Sequence, residues 1–226
     1  MKGAVSFLLL AAMLLFPLRA SAQNEQPVIR SGDPGSMKIA LTFDDGPHPY
    51  RTDEVLDVLE KYGVRATFFV VGENVSYYPA PLKRAVSLGH EIGNHTYHHA
   101  RLSEVCEQNA AEEIQRTEDI VFRTVGTRTK LFRPPEGAYN ACALNTAKGM
   151  DYRVILWTVD TRDWERPPAH TIVKNVMENV RGGSILLFHD YMHKSAHTLE
   201  ALDTVIPKLL ERGYEFVTVS ELLAQA

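Results

Sequence analysis

The chain has 226 residues, 45% of them hydrophobic and 23% charged, with 12 prolines and 14 glycines. That suits one domain with a sizeable core, or two small ones, and lies far from a disordered composition. A formal charge of −4 without any basic cluster argues against a nucleic-acid partner, because a net-acidic surface repels a polyanion.

In chain order, the first 22 residues have the parts of a signal peptide. Lys2 is a short basic start, VSFLLLAAMLLFPL is an apolar core, and Ala20-Ser21-Ala22 is a small-x-small cleavage pattern. The core is too short to favour a bilayer-spanning helix. Cleavage would start the mature chain near Gln23 and, by removing Lys2 and Arg19, take the formal charge from −4 to −6. No lipobox-like cysteine follows the core, so a soluble exported protein is expected, secreted, periplasmic or cell-wall associated, without stable membrane insertion. Residues 23–37 are polar, with Pro27, Pro34, Gly32 and Gly35, and suggest a flexible lead-in.

Apolar or β-branched runs at 39–43, 66–71, 90–93, 130–133, 152–159, 184–188 and 214–219 predict strands. Helical patterns fall between or after them at 52–62, 79–88, 104–124, 141–149, 169–180 and 198–212. Val55, Leu56, Val58, Leu59 and Tyr62 recur at helical spacing, with Thr52 placed to cap. Gly63, Gly89, Gly149 and Gly213 stand where left-handed caps would stop helices. No linker divides the repeat, which predicts a single α/β domain over 38–226, either an open parallel sheet or a barrel. Seven strands with polar residues at most of their C-terminal ends favour the barrel. Acid stands after the first strand where a dinucleotide fingerprint needs bare glycine backbone. Cys106 and Cys142 would be free to bridge in an exported protein, and reduced thiols in separate helices suit the sequence as well.

Five strand-end segments carry candidate chemistry. IALTFDDGPHPY (39–50) ends a buried run on Asp44 and Asp45. Successive strand side chains face opposite ways, but a Gly46-Pro47 turn would swing both acids toward one cavity. Adjacent carboxylates repel unless their tasks differ, with a metal on one and proton exchange on the other. The plain alternative is an ordinary Asp-Asp-Gly loop. EIGNHTYHH (91–99) places His95 and His99 four apart, so a helical turn would present both imidazoles on one face. With Asp45 they make a plausible divalent site with open positions. His98 is the competitor, on a poorer common face. Surface histidines also fall at this spacing.

LFRPPEGAYN (131–140) closes a strand with Arg133 and stiffens the loop with Pro134 and Pro135. Arg133 would hold a neighbouring carboxylate ionised, and the Glu136 amide would serve as an oxyanion donor. A rim salt bridge and a strand stop are the alternative. In ILWTVDTRDWERPP (155–168), Asp160 and Asp163 follow an apolar run, and Trp164 would line a sugar groove or simply fill core. In SILLFHDYMHK (184–194), His189 ends a buried strand and would protonate a leaving group if a carboxylate held its other nitrogen. His193 and His197 repeat the i,i+4 spacing within what looks like an exposed loop before a helix capped by Thr198.

Together these segments resemble the polysaccharide deacetylase family, the NodB-homology group or carbohydrate esterase family 4. Its motifs match TFDDGP (42–47), HTYHH (95–99), RPPEG (133–137), DTRDW (160–164) and LLFHD (186–190), and the likeness runs from Lys38 to Leu223. The resemblance implies a distorted (β/α) barrel of seven or eight strands. It implies Asp44 as general base and Asp45, His95 and His99 as ligands of one divalent metal, zinc in many members and cobalt or another ion in some. Arg133 would orient and charge-balance Asp44, and the Glu136 amide would join in stabilising the oxyanion. Asp163 would tune His189 as general acid, while Trp164 and Leu187 would shape the pocket for the acetyl methyl. Asp160 falls to a structural role. Members often carry an aromatic residue where this chain has Glu136, which would disfavour anionic sugars.

The expected activity is metal-dependent removal of N-acetyl groups from N-acetylglucosamine in peptidoglycan or chitin-like chains, by a monomer. A metal-dependent O-acetyl esterase on xylan-type polysaccharide is the alternative, with a non-catalytic glycan-binding barrel the other class. Asn94-His95-Thr96 is formally a glycosylation sequon, but a glycan there would block His95. This favours a bacterial chain and peptidoglycan. A lactyl carboxylate on the sugar ranks N-acetylmuramic acid below glucosamine for a net-acidic protein.

Overall fold

The structure is a computed structural model that describes residues 28–104, 107–191 and 197–224. The expected signal peptide, Cys106 and His193 lie outside the described residues. Cys142 carries a free thiol. No described helix is long and apolar enough to cross a membrane.

Eight parallel strands form one curled sheet: β1 (Lys38–Asp44), β2 (Thr67–Val70), β3 (Glu91–Asn94), β4 (Leu131–Phe132), β5 (Arg153–Val154), β6 (Val159–Asp160), β7 (Ile185–His189) and β8 (Glu215–Phe216). The order is β5-β4-β3-β2-β1-β7-β6, with β8 beside the start of β1. The helices are α1 (Arg51–Lys61), α2 (Gly72–Tyr77), α3 (Pro79–Ser87), α4 (Glu107–Val125), α5 (Ala141–Gly149), α6 (Ala169–Asn179), α7 (Thr198–Glu211) and α8 (Val219–Leu223). This is the expected single α/β domain with a distorted barrel.

Strand alternation divides the core. Ile39, Leu41 and Phe43 of β1 join Phe68, Leu186 and Phe188 in a layer under the helices. Ala40, Phe69 and Ile185 face the other way, into the barrel. Burying both faces explains why these strands are continuously apolar rather than alternating.

Five local expectations change. The run 152–159 is split: β5 pairs with β4, and β6 pairs with β7. A single extended segment therefore spans the two edges of the sheet. Part of the expected flexible lead-in is pinned against that segment. Ile29 accepts from Leu156 N and donates to Val154 O, at 2.7 and 2.9 Å, and Gly32 N donates to Gly183 O at 2.8 Å. At the C-terminus the strand stops at Phe216, because Thr218 and Glu221 form a reciprocal capping box that starts α8. Thr52 does not cap α1; its hydroxyl donates to Asp190 Oδ2 at 2.5 Å. Gly63, Gly89 and Gly213 have positive φ after their helices, as expected, whereas Gly149 closes α5 and Asp151 makes the left-handed turn.

Candidate active site

The C-terminal ends of the strands converge on a cavity of about 420 Å³ lined by Asp44, Asp45, His95, His99, Glu136, Trp157, Asp160, Trp164, Leu187 and His189. A larger open depression of about 810 Å³ lies between α6 and α7 and gathers none of these groups. Asp44 is the last residue of β1 and nearly fully buried. Strand alternation alone would turn Asp45 away. Instead its backbone enters the left-handed region, with φ of 77°, and this brings the next side chain back to the same cavity.

Asp45, His95 and His99 each offer a ligand atom within 4.8 Å of the others. The histidines are not on a helical turn. His95 follows β3 directly, and positive φ at Thr96 and His99 folds the loop so that the two rings stand 5.1 Å apart. His98 is turned away, its Nδ1 2.7 Å from Glu113 Oε1 on α4. His95 Nδ1 donates to the Arg133 carbonyl at 2.7 Å, which leaves the Nε2 lone pair free. Asp45 Oδ1 lies 3.1 Å from His99 Nε2 and 3.4 Å from His95 Nε2, yet it is buried and accepts no hydrogen bond. Burial works against charge on Asp45, but the two imidazoles hold its carboxyl far below the usual carboxylate range. A buried oxygen without a hydrogen-bond donor, facing two ring nitrogens, fits one divalent cation: the lone pairs converge on a shared point rather than on each other.

Arg133 is fully buried beneath this cluster. Its Nη1 donates to Asp44 Oδ1 at 2.6 Å and to Thr42 Oγ1 at 2.9 Å, and Nη2 and Nε reach the carbonyls of Leu156 and Ile155. The guanidinium also stacks 4.0 Å from the Phe69 ring centroid. Burial lowers the Arg133 pKa and Asp44 opposes that shift, so the two are held as a pair. With Oδ1 engaged, Asp44 Oδ2 lies 3.7 Å from His95 Nε2, beside the ligand cluster.

Across the cavity, Asp163 is fully buried and places Oδ1 2.7 Å from His189 Nδ1. Its Oδ2 accepts from His189 N at 3.0 Å and from Thr198 Oγ1 at 2.9 Å. Thr198, expected as a helix cap, here fixes this carboxylate. Burial pushes the His189 imidazole down, but the hydrogen bond and charge of Asp163, with Asp45 and Asp44 behind it, raise its pKa to about 9.

Residues 31–155 match the family described as Polysaccharide deacetylase. The chain belongs to that family. It is 44% identical over 84% of its length to the peptidoglycan-N-acetylmuramic acid deacetylase PdaC of Bacillus subtilis, of which it spans 39%. It superposes on the Bc1960 peptidoglycan N-acetylglucosamine deacetylase with TM-score 0.85 and 38% identity, covering 87% of this chain and 92% of that one. A family 4 acetyl xylan esterase from Clostridium thermocellum, solved with cobalt, gives TM-score 0.78 and 38% identity, covering 82% and 89%.

In this polysaccharide deacetylase-family chain, the expected site residues that touch the cavity come from five strand-end segments, and the structure brings them together. Leu187 lines the wall from β7, and Trp164 is half exposed at the rim. Glu136 sits at φ 57° with its carboxylate paired to Arg101. Asp160, expected to be structural, both lines the cavity and accepts from Arg162 N at 2.9 Å. Two residues were missed. Trp157 forms a wall beside Gly137, where a Cβ would sit 2.8 Å from the indole; the LWT stretch at the strand end was the available signal. Asp190 is buried and accepts from Gly46 N at 3.0 Å and from Thr52, bracketing the Asp44–Asp45 loop. Its place after His189 in LLFHD was the only pointer.

Proposed function

We propose that the chain hydrolyses N-acetyl groups on N-acetylglucosamine residues of peptidoglycan or chitin-like oligosaccharides, releasing acetate. The observation that carries this reading is a single cavity holding a divalent-cation triad, an arginine-clamped aspartate and an aspartate-held histidine. Asp45, His95 and His99 would hold the ion, with zinc as the proposed metal; when bound, it supplies Lewis-acid polarisation of the amide carbonyl and stabilises the charge developing on its oxygen. Asp44, fixed through Oδ1, takes the proton of the attacking water on Oδ2. His189 Nδ1 is committed to Asp163, so Nε2 faces the departing amine and protonates it as the carbon–nitrogen bond breaks. Both groups are needed because an amine leaves poorly unless protonated. Leu187, Trp157 and Trp164 supply apolar walls for the acetyl methyl and the sugar face. We place the protein outside the cytoplasm on the strength of the N-terminal sequence.

A second reading, O-acetyl ester hydrolysis, is favoured by the likeness to the acetyl xylan esterase. The test is incubation of the metal-loaded protein with chitooligosaccharides, peptidoglycan fragments and acetylated xylan. Mass spectrometry would count acetyl losses, with D44N and chelated samples as controls. Metal-dependent loss from the amino sugars supports N-deacetylation. Loss from xylan alone moves the assignment to the esterase, and no loss with metal bound overturns both.

A further inference from the structure

Of the exposed aromatic rings, Tyr77 and Phe122 stand on α2 and α4, and three others gather at neighbouring strand ends. Tyr50, Tyr191 and Trp164 are 73%, 42% and 53% exposed, and they follow the ends of three adjacent strands, β1, β7 and β6. Trp164 belongs to the cavity already described. Tyr50 and Tyr191 lie outside its lining and flank His48. The His48 ring stands 5.0 Å from Tyr191, edge-on at 71°, and 6.1 Å from Tyr50 at 56°.

This cluster is held in place. His48 Nδ1 accepts from the backbone N–H groups of Tyr50 and Arg51, both at 3.1 Å, so the ring proton sits on Nε2. The backbone of His48 donates to Thr52 Oγ1 at 2.8 Å, and Thr52 in turn donates to Asp190. The rings are therefore mounted on the bracket that fixes the Asp44–Asp45 loop. Their position follows from the register: Asp44 is opposite His189, so the residues just past these two meet where His48 touches Tyr191.

A cavity of about 420 Å³ takes the sugar being processed, and a longer chain must continue over the rim. Rigid aromatic faces there match the apolar C–H face of a pyranose. Among the described residues, the adjacent cation Arg51 is neutralised by Glu54 at 2.5 Å, which suits an uncharged ring. We propose that His48, Tyr50 and Tyr191 form a further sugar subsite, stacking a neutral pyranose in the same glycan next to the unit being processed. The protein then acts better on chains than on single sugars. This rests on the glycan reading above for the nature of the ligand.

The test compares the metal-loaded protein with a Y50A/Y191A variant and a Y50F/Y191F variant on N-acetylglucosamine oligomers of two to six units. The ratio of kcat/KM on the hexamer to that on the dimer should fall about tenfold in the alanine variant, chiefly through KM. The phenylalanine variant should keep it, because stacking does not need the hydroxyl. Calorimetric titration of the hexamer onto D44N protein, with and without Y50A, reads the subsite apart from chemistry. Turnover with an unchanged length dependence in the alanine variant overturns the subsite alone. Tyrosine-dependent hexamer affinity without any turnover overturns the deacetylase reading and keeps the subsite. A phenylalanine variant as weak as the alanine one refutes stacking.

Discussion

At His189 two opposing influences meet. Burial favours the neutral ring, while Asp163, and behind it Asp45 and Asp44, favour the cation and lift the pKa to about 9. A folded-state pKa raised above the ordinary 6.5 makes the His189–Asp163 pair stabilise the fold fully below about pH 6.5; that contribution is lost as pH climbs through about 9. The acid form needed to protonate the amine disappears over the same window, so activity should fall on the alkaline side. A cation held by Asp45 opposes the pull of both aspartates and would bring that limb below 9. Replacing Asp163 by asparagine removes the main raising influence; the alkaline limb of the kcat profile should then move to lower pH, and an unmoved limb would assign it to another group. H189A should bind metal normally yet lose about 10²–10⁴ in amide turnover, checked by titration alongside acetate release. Sequence separated Asp163 from Asp160 only through the family motif, because both stand where the same apolar run ends. Burial and a 2.7 Å contact distinguish them in the fold.

The loop between β1 and α1 is where an element depends on a distant residue. Asp190 accepts from Gly46 N and from Thr52, and a Cβ on residue 46 would lie 2.2 Å from its Oδ2. Glycine is therefore required by close approach. Removing the carboxylate orphans the Gly46 N–H, at a cost of about 1–3 kcal/mol, and loosens the residue before it, which is a metal ligand. D190A should weaken zinc affinity about tenfold or more with the secondary structure intact, and D190N should recover most of it, since an amide oxygen can still accept from Gly46. Equal affinity across the three proteins, by competition with a chelating dye, would leave Asp190 with no positioning role. The HxxxH pair was legible from spacing, but its conformation was not. Two left-handed residues, Thr96 and His99, make the approach that a helical turn was expected to make.

At the scale of the molecule, the barrel is closed by pieces that local patterning undervalues. The segment 28–32 has no strand or helix periodicity, yet its backbone bonds Val154, Leu156 and Gly183 and its Val28 and Ile29 pack against the core. A chain starting at Asp33 loses three such bonds and should be less stable by about 2–4 kcal/mol, read as a lowered Tm against the chain starting at Gln23. Arg133 ties the sheet together from inside, with both it and Asp44 nearly inaccessible. R133M leaves an uncompensated buried carboxylate and should cost about 3–5 kcal/mol. Turnover should be lost even at temperatures where the variant remains folded, as denaturant melts with parallel activity assays would show.

The amino-acid order by itself determined the seven apolar runs, the six longer helices between and after them, and the residue types at the strand ends. These follow from local periodicity and from the tendency of parallel strands buried on both faces to be continuously apolar. It also determined the family, since five short motifs in order carry far more information than one. Tertiary structure alone decided which strand end faces which. The split of 152–159 into β5 and β6, the bracket from Asp190 to Gly46 and the bond from Asp163 to His189 join residues 22 to 144 positions apart. Contacts at that separation leave no periodic trace in the chain, because only the closed sheet brings their elements together.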